Sequence, residues 1–174
     1  MGHADKDTFL AVNIAVLTVS DTRAPGDDRS GDTLVERLES AGHKLRARDI
    51  VKDEIGLIAG KLRQYIDDPE IDVVIATGGT GLTGRDVTPE ALAQVAEKDI
   101  PGFGEMFRMI GYQKIKTSTI QSRAAAGVAG GTYLFAVPGS PGACKDAWDE
   151  ILVHQLDIRT RPCNFVEMMS RLKE

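Results

Sequence analysis

The run from Ala76 to Leu92, ATGGTGLTGRDVTPEAL, sets glycines 78, 79, 81 and 84 and one aspartate, Asp86, between an apolar stretch and a helix-start pattern. Glycine loses more backbone freedom on folding than any other residue, so a connection this bare requires a positive φ or a close approach of backbone to a ligand. A glycine loop that feeds a helix presents N–H donors and a favourable dipole to anions, and phosphate is the natural guest. The run is not a P-loop, because no lysine follows at the required place, and it is not a full GxGxxG fingerprint. Gly78, Gly79, Thr80 and Gly81 therefore read as a phosphate cradle or as a tight strand-to-helix turn.

The residues around the loop carry the same two readings. Asp86 either complements a helix dipole or holds Mg²⁺, which binds through one or two carboxylates together with substrate phosphates. Arg85 is a solvated loop charge or a phosphate partner. Asp53 and Glu54 open a helix, where acids are common on electrostatic grounds; the alternative is a second metal-binding or proton-handling carboxylate. Ser20, Asp21 and Ser140 make turns or line a ligand rim. His3, His43 and His154 show no mutual pattern, and Ser122 lacks the GxSxG setting of a serine hydrolase.

Positioning these residues requires a scaffold, and the apolar periodicity supplies one. VNIAVLTV (12–19) and VVIAT (73–77) read as strands covered on both faces, LRARDIV (45–51) alternates, and YLFAV (133–137) is a further strand. Between them, Leu34, Val35, Leu38 and Ala41 recur at helical spacing with Ser30 or Asp32 as cap. Ile55, Ile58, Leu62 and Ile66 line a second helix that Asp53 starts. Thr88 is placed as N-cap with Pro89 at the first helical position. Residues 101–127 read as helix broken near Gly111 and Gly127, and a helix with Ala147, Ile151 and Leu152 inward follows PGSPG. This order predicts a single α/β domain with a mainly parallel sheet flanked by helices. In such sheets ligands sit beyond the carboxyl ends of the strands. The loops at 19–21, 77–81 and 138–142 should then share one rim.

At 174 residues the chain fits one domain, which holds a core without disulfides or metals. A net charge of −5 with singly scattered Lys and Arg argues against a nucleic-acid surface and against a polybasic membrane patch. Cys144 and Cys163 have neither CxxC spacing nor a histidine pair beside them, and the N-terminal residues lack a signal-peptide pattern, so a reduced, cytoplasmic protein is expected.

Read in order behind VLTVSDTR, the segments TGGTG, RDVTPEA, PGFGEMFR, TIQSRAAAG and VPGSPGA resemble the MoaB/MogA family of molybdenum cofactor biosynthesis, and more closely its MoaB branch. The resemblance runs from about Asn13 to at least Ile151. It implies a MogA-like, Rossmann-related three-layer α/β/α fold over residues 13–174 behind a flexible tail, 1–12. It implies binding of molybdopterin and, in active members, transfer of AMP from Mg-ATP to the terminal phosphate of molybdopterin with release of pyrophosphate. A catalytically silent molybdopterin-binding or accessory protein of the same pathway is the alternative. Carried over by position, the family's catalytic acids fall on Asp53 and Asp86, which would coordinate Mg²⁺. Gly78, Gly79, Thr80 and Gly81 would cradle phosphate, with Ser20, Asp21, Arg85 and Ser140 on the rim. A homo-oligomer, hexamer or trimer, is implied as well. Where the MogA branch has Pro-x-x before Arg85, this chain has Leu82-Thr83-Gly84, from which a more flexible loop is expected.

Overall fold

Successive side chains of a strand point to opposite faces of its sheet, and in β1 (Asn13–Val19) both sets are apolar and covered. Ile14 and Val16 face one side and Ala15, Leu17 and Val19 the other. The computed structural model describes residues 8–174; residues 1–7, which include His3 and the larger part of the expected tail, lie outside the described residues. The chain continues through α1 (Arg29–Ser40), β2 (Lys44–Val51), α2 (Ile55–Asp67), β3 (Val73–Thr77), α3 (Thr88–Ala93) and β4 (Lys98–Asp99). Then come α4 (Pro101–Ile115), β5 (Ala125–Ala129), β6 (Thr132–Val137) and α5 (Pro141–Ala147). A π turn, Trp148–Leu152, leads into α6 (Val153–Gln155), and α7 (Phe165–Met168) lies near the end.

The strands form one sheet in the order β2-β1-β3-β6-β5-β4. The first four are parallel, and β5 and β4 are antiparallel to their neighbours. Helices α1, α4, α5 and α7 cover one face over Val16, Ile75 and Phe135, and α2 and α3 cover the other over Leu17, Val74 and Leu134. This is the α/β sandwich with a mainly parallel sheet that the periodicity predicts. Because β1, β3 and β6 are adjacent and parallel, their three exit loops share one rim, as expected. Among the described residues no helix is long and apolar enough to cross a membrane.

Four local expectations are corrected. The cap of α1 is neither Ser30 nor Asp32 but Asp28, whose buried carboxylate accepts from the Gly31 N–H at 3.0 Å. Helix α2 starts at Ile55 with Glu54 at the cap position, not at Asp53. Thr88 is the first residue of α3 rather than its cap, and its hydroxyl donates to the Gly78 carbonyl instead. Finally, α4 runs unbroken through Gly111, where a Cβ would stand 2.3 Å from Thr119 Oγ1, so glycine there serves close packing. Gly127 lies in β5, where a Cβ would meet the Ala96 side chain at 2.8 Å.

His43 ties the start of β1 to this scaffold. Its Nδ1 accepts from the buried Val12 N–H at 3.2 Å, and its ring packs between Phe9 and the edge of Trp148. Burial holds the imidazole pKa below its ordinary value, against a weaker opposing pull from Asp157. A depressed pKa means that the unfolded chain takes up a proton the native state resists, so this stabilisation is complete above about pH 6.5 and is lost as pH falls below it. His43→Leu leaves the Val12 N–H without its acceptor and should cost about 1–3 kcal/mol at neutral pH. Urea midpoints should also fall less between about pH 7.5 and about pH 5.5 in His43→Leu than in the unaltered protein, and an equal fall would remove His43 from the account.

Candidate functional site

A cavity of about 870 Å³ opens at the rim where β1, β3 and β6 end, and it is lined by Ser20, Asp53, Gly78, Gly79, Thr80, Gly81, Asp86 and Ser140. That volume suits a ligand the size of a nucleotide or pterin. The cavity brings together eight of the ten residues singled out from sequence. Asp21 and Arg85 are not among its lining residues; they pair with each other beside it, through bonds of 2.9 and 2.7 Å. Arg85 holds the Asp21 carboxyl below its ordinary range, and Asp21 in turn accepts from the Asp53 N–H at 3.2 Å.

The glycine loop is shaped by what surrounds it. Gly78 has φ +106° and Gly79 has φ +64°, both in the region that side chains rarely adopt. A Cβ on Gly78 would lie 2.2 Å from the Val19 carbonyl oxygen, and one on Gly79 would lie 2.9 Å from Asp53 Oδ1. The carbonyls of Gly78 and Gly79 accept from the Thr88 hydroxyl and N–H, and those of Thr80 and Gly81 accept from the Arg123 N–H and Nε. The Gly78 N–H is spent on the Val137 carbonyl, and the Gly81 backbone helps to favour the charged Asp86 carboxylate. The N–H groups of Gly79 and Thr80 have no protein acceptor among the described residues.

The stretch expected to be flexible, Leu82 to Arg85, is tied at both ends. Asp86 Oδ2 accepts from the Thr83 N–H at 2.8 Å and from the Thr83 hydroxyl at 2.6 Å, and these bonds hold its carboxyl below the ordinary range. Arg123 donates to the Gly81 carbonyl and the Asp86 carbonyl, each at 2.7 Å, and pairs with Glu90 in the first turn of α3. Asp53 differs from Asp86. Burial, followed by the nearby Asp21 carboxylate, pushes its pKa above the ordinary value.

Three parts of the cavity escaped the sequence reading. Arg23 donates to Ser30 Oγ at 3.2 Å and to the Gly139 carbonyl at 3.3 Å, which joins the loop after β1 to the loop after β6. Its place in VSDTR, next to the rim residues, was the available signal. Phe107 and Ile115 of α4 form an apolar wall, and Lys114 pairs with Asp146 at 2.5 Å between α4 and α5. Nothing local marks these residues, because only the packing of α4 over the sheet brings them to the rim. Ser140 caps α5 by accepting from the Ala143 N–H at 3.2 Å.

Among the described residues no group of three or more His, Cys, Asp or Glu side chains is gathered to hold a metal ion. Asp53 and Asp86 nevertheless suit Mg²⁺ by donor type, since this ion takes one or two carboxylates and completes its shell with phosphate oxygens and water.

Residues 15–157 match the family model described as "Probable molybdopterin binding domain". The chain is 48% identical over 157 residues to molybdenum cofactor biosynthesis protein B of Escherichia coli K12, covering 90% of this chain and 92% of that one. It is 43% identical over 146 residues to the Bacillus subtilis protein of the same name, covering 83% and 86%. A crystal structure of a molybdenum cofactor biosynthesis protein B superposes with a TM-score of 0.85 at 37% identity, over 94% of this chain and 97% of that one.

The raised pKa of Asp53 carries a stability consequence of definite sign. An acid whose pKa is raised on folding opposes the native state once pH rises through the folded value, and the opposition is absent below the unfolded value of about 4. Asp53→Asn should therefore raise the melting temperature at neutral pH by roughly 1–3 °C and have no such effect at about pH 3. Calorimetric scans at both pH values check this, and a lowered melting temperature at neutral pH would contradict it.

Proposed function

The chain belongs to the MoaB/MogA family of molybdenum cofactor biosynthesis proteins, and on that premise we propose that its cavity binds molybdopterin and transfers AMP from Mg-ATP to the terminal phosphate of the pterin. An oxygen of that phosphate attacks the α-phosphorus of ATP, the bond from that phosphorus to the β-bridging oxygen breaks, and pyrophosphate leaves. The observation that carries this reading is the pair of N–H groups on Gly79 and Thr80 without acceptors among the described residues, set beside the Asp53 carboxylate in a cavity of nucleotide or pterin size. Transfer of this kind is catalysed mainly by positioning and by neutralising charge that develops on phosphate oxygens.

In this reading the Gly79 and Thr80 N–H groups orient a phosphate, and the buried Phe107 keeps water from one side of the cavity. Asp53 and Asp86 would hold Mg²⁺, which supplies charge neutralisation on the phosphates when bound. A cation at Asp53 would also relieve the burial and the Asp21 repulsion that raise its pKa. The cytoplasm as its compartment belongs to the same reading.

One observation favours the catalytically silent, accessory alternative. The Asp86 carboxylate already accepts from the Thr83 N–H and hydroxyl, so it has a structural role apart from any metal. Pyrophosphate release from Mg-ATP with molybdopterin supplied separates the two. Under the transferase reading, Asp53→Ala and Asp86→Ala should each lower the rate by roughly 10²-fold or more, the scale of losing one electrostatic contact to the reacting group. Saturable pterin binding without release would install the accessory reading.

Self-association completes the proposal. Met106, Met109, Tyr112 and Ile120 are all exposed, Met109 at 70% and Ile120 at 79%, on α4 and the turn after it. Apolar exposure concentrated in this way marks a contact surface rather than scattered surface residues, and we assign it to a second copy of this chain. Met109→Glu should shift sedimentation at micromolar protein toward the monomer. An unaltered protein that already sediments as a monomer would remove the assignment.

A further inference from the structure

Thr88 is not among the residues that line the cavity, yet it governs the two N–H groups on which the proposed phosphate site rests. A trans peptide unit is planar, and its C=O and N–H point in opposite directions. Whatever holds the carbonyl of Gly78 therefore also aims the N–H of Gly79, and whatever holds the carbonyl of Gly79 aims the N–H of Thr80. Thr88 holds both. Its hydroxyl donates to the Gly78 carbonyl at 2.8 Å, and its N–H donates to the Gly79 carbonyl at 2.9 Å. The side chain is fully buried, so water does not compete for the hydroxyl. The positive φ values of Gly78 and Gly79 permit the two planes to stand in this orientation, and Gly78 is kept from moving by its contact with the Val19 carbonyl and its bond to Val137.

We propose that Thr88 is a positioning residue for phosphate recognition, its hydroxyl and N–H together turning the Gly78–Gly79 and Gly79–Thr80 peptide planes so that two N–H donors face the cavity. The inference rests on the reading that this loop receives a phosphate, and it extends that reading by naming what prepares the donors before the ligand arrives. It also accounts for a threonine at the start of α3 whose side chain does not cap the helix.

The hydroxyl and the methyl group of Thr88 can be separated by substitution. Thr88→Val keeps the shape and removes the donor to Gly78; Thr88→Ser keeps the donor and removes the methyl group. Binding of Mg-ATP and of inorganic pyrophosphate, by titration calorimetry on the full chain, should weaken roughly tenfold or more in Thr88→Val, because a buried acceptor loses its partner and the peptide plane is freed. Thr88→Ser should bind within about twofold of the unaltered protein even though loss of a buried methyl lowers its melting temperature. Thr88→Ala, which also lacks the hydroxyl, should follow Thr88→Val in binding and serves if that variant does not fold. Affinity that tracks melting temperature across the variants, or that is unchanged in Thr88→Val, overturns the proposal. An unaltered protein that binds neither ATP nor pyrophosphate removes the phosphate reading itself, and the role of Thr88 falls with it.

Discussion

The site depends on a steric constraint, the convergence of three parallel strand ends with no space for a side chain between them. Gly78 leaves β3 with its Cα against the Val19 carbonyl of β1 while its N–H bonds to the Val137 carbonyl of β6. Gly139, leaving β6, packs in turn on the Cα of Gly78, where a Cβ on Gly139 would stand 3.0 Å away. Close approach of this kind selects glycine for lack of a Cβ, and the positive φ that follows is costly for any other residue. The glycine loop is thus first a solution to packing at the rim of the sheet. Under the proposed reading its use for an anion comes from the same geometry, because the Gly78 and Gly79 carbonyls are bonded to Thr88 while the Gly79 and Thr80 N–H groups have no protein acceptor among the described residues.

Charge is distributed around this point in two different ways. Asp28 is buried and fully partnered, by Thr18, by the Gly31 N–H and by Arg48, and so behaves as scaffold. A buried carboxylate is tolerated only with such partners. Asp53 is the opposite case, since its neighbours Asp21 and Asp86 repel it and the Arg85 guanidinium, which favours its charged form, is engaged by Asp21. Native proteins retain such opposition mainly where function requires it. The contrast separates the two acids more clearly than their sequence settings do, because both stand near the start of a helix.

The parallel core and its rim were legible because the signals are local. The apolar runs at 12–19, 73–77 and 133–137 are covered on both faces, and the loops that follow them contain the residues of the cavity. What was not legible required distance. The Gly130–Gly131 turn, with φ of +57° and +87°, joins β5 to β6 as a hairpin and marks β5 as a strand, but the alanines before it read equally well as helix. The cap of α1 went to Asp28 rather than to Ser30 or Asp32 because Asp28 also serves Thr18 and Arg48, residues from two strands. The Thr88 hydroxyl was drawn from the helix to Gly78 by the folded loop. In each case a long-range partner outcompeted a local one.

The same competition explains how Leu82 to Arg85 is held without a proline. Proline restricts a loop by removing states from the unfolded chain; here the restriction lies in the folded state, through Thr83 on Asp86 and Arg123 on the Gly81 and Asp86 carbonyls. The guanidinium suits this task because its planar fork reaches two carbonyls and Glu90 at once, which a lysine ammonium does not match. Composition and bonding thus pull in opposite directions in this loop. Its entropy is visible in the residues it contains, and part of what offsets that entropy belongs to a residue about forty positions away in the chain, Arg123.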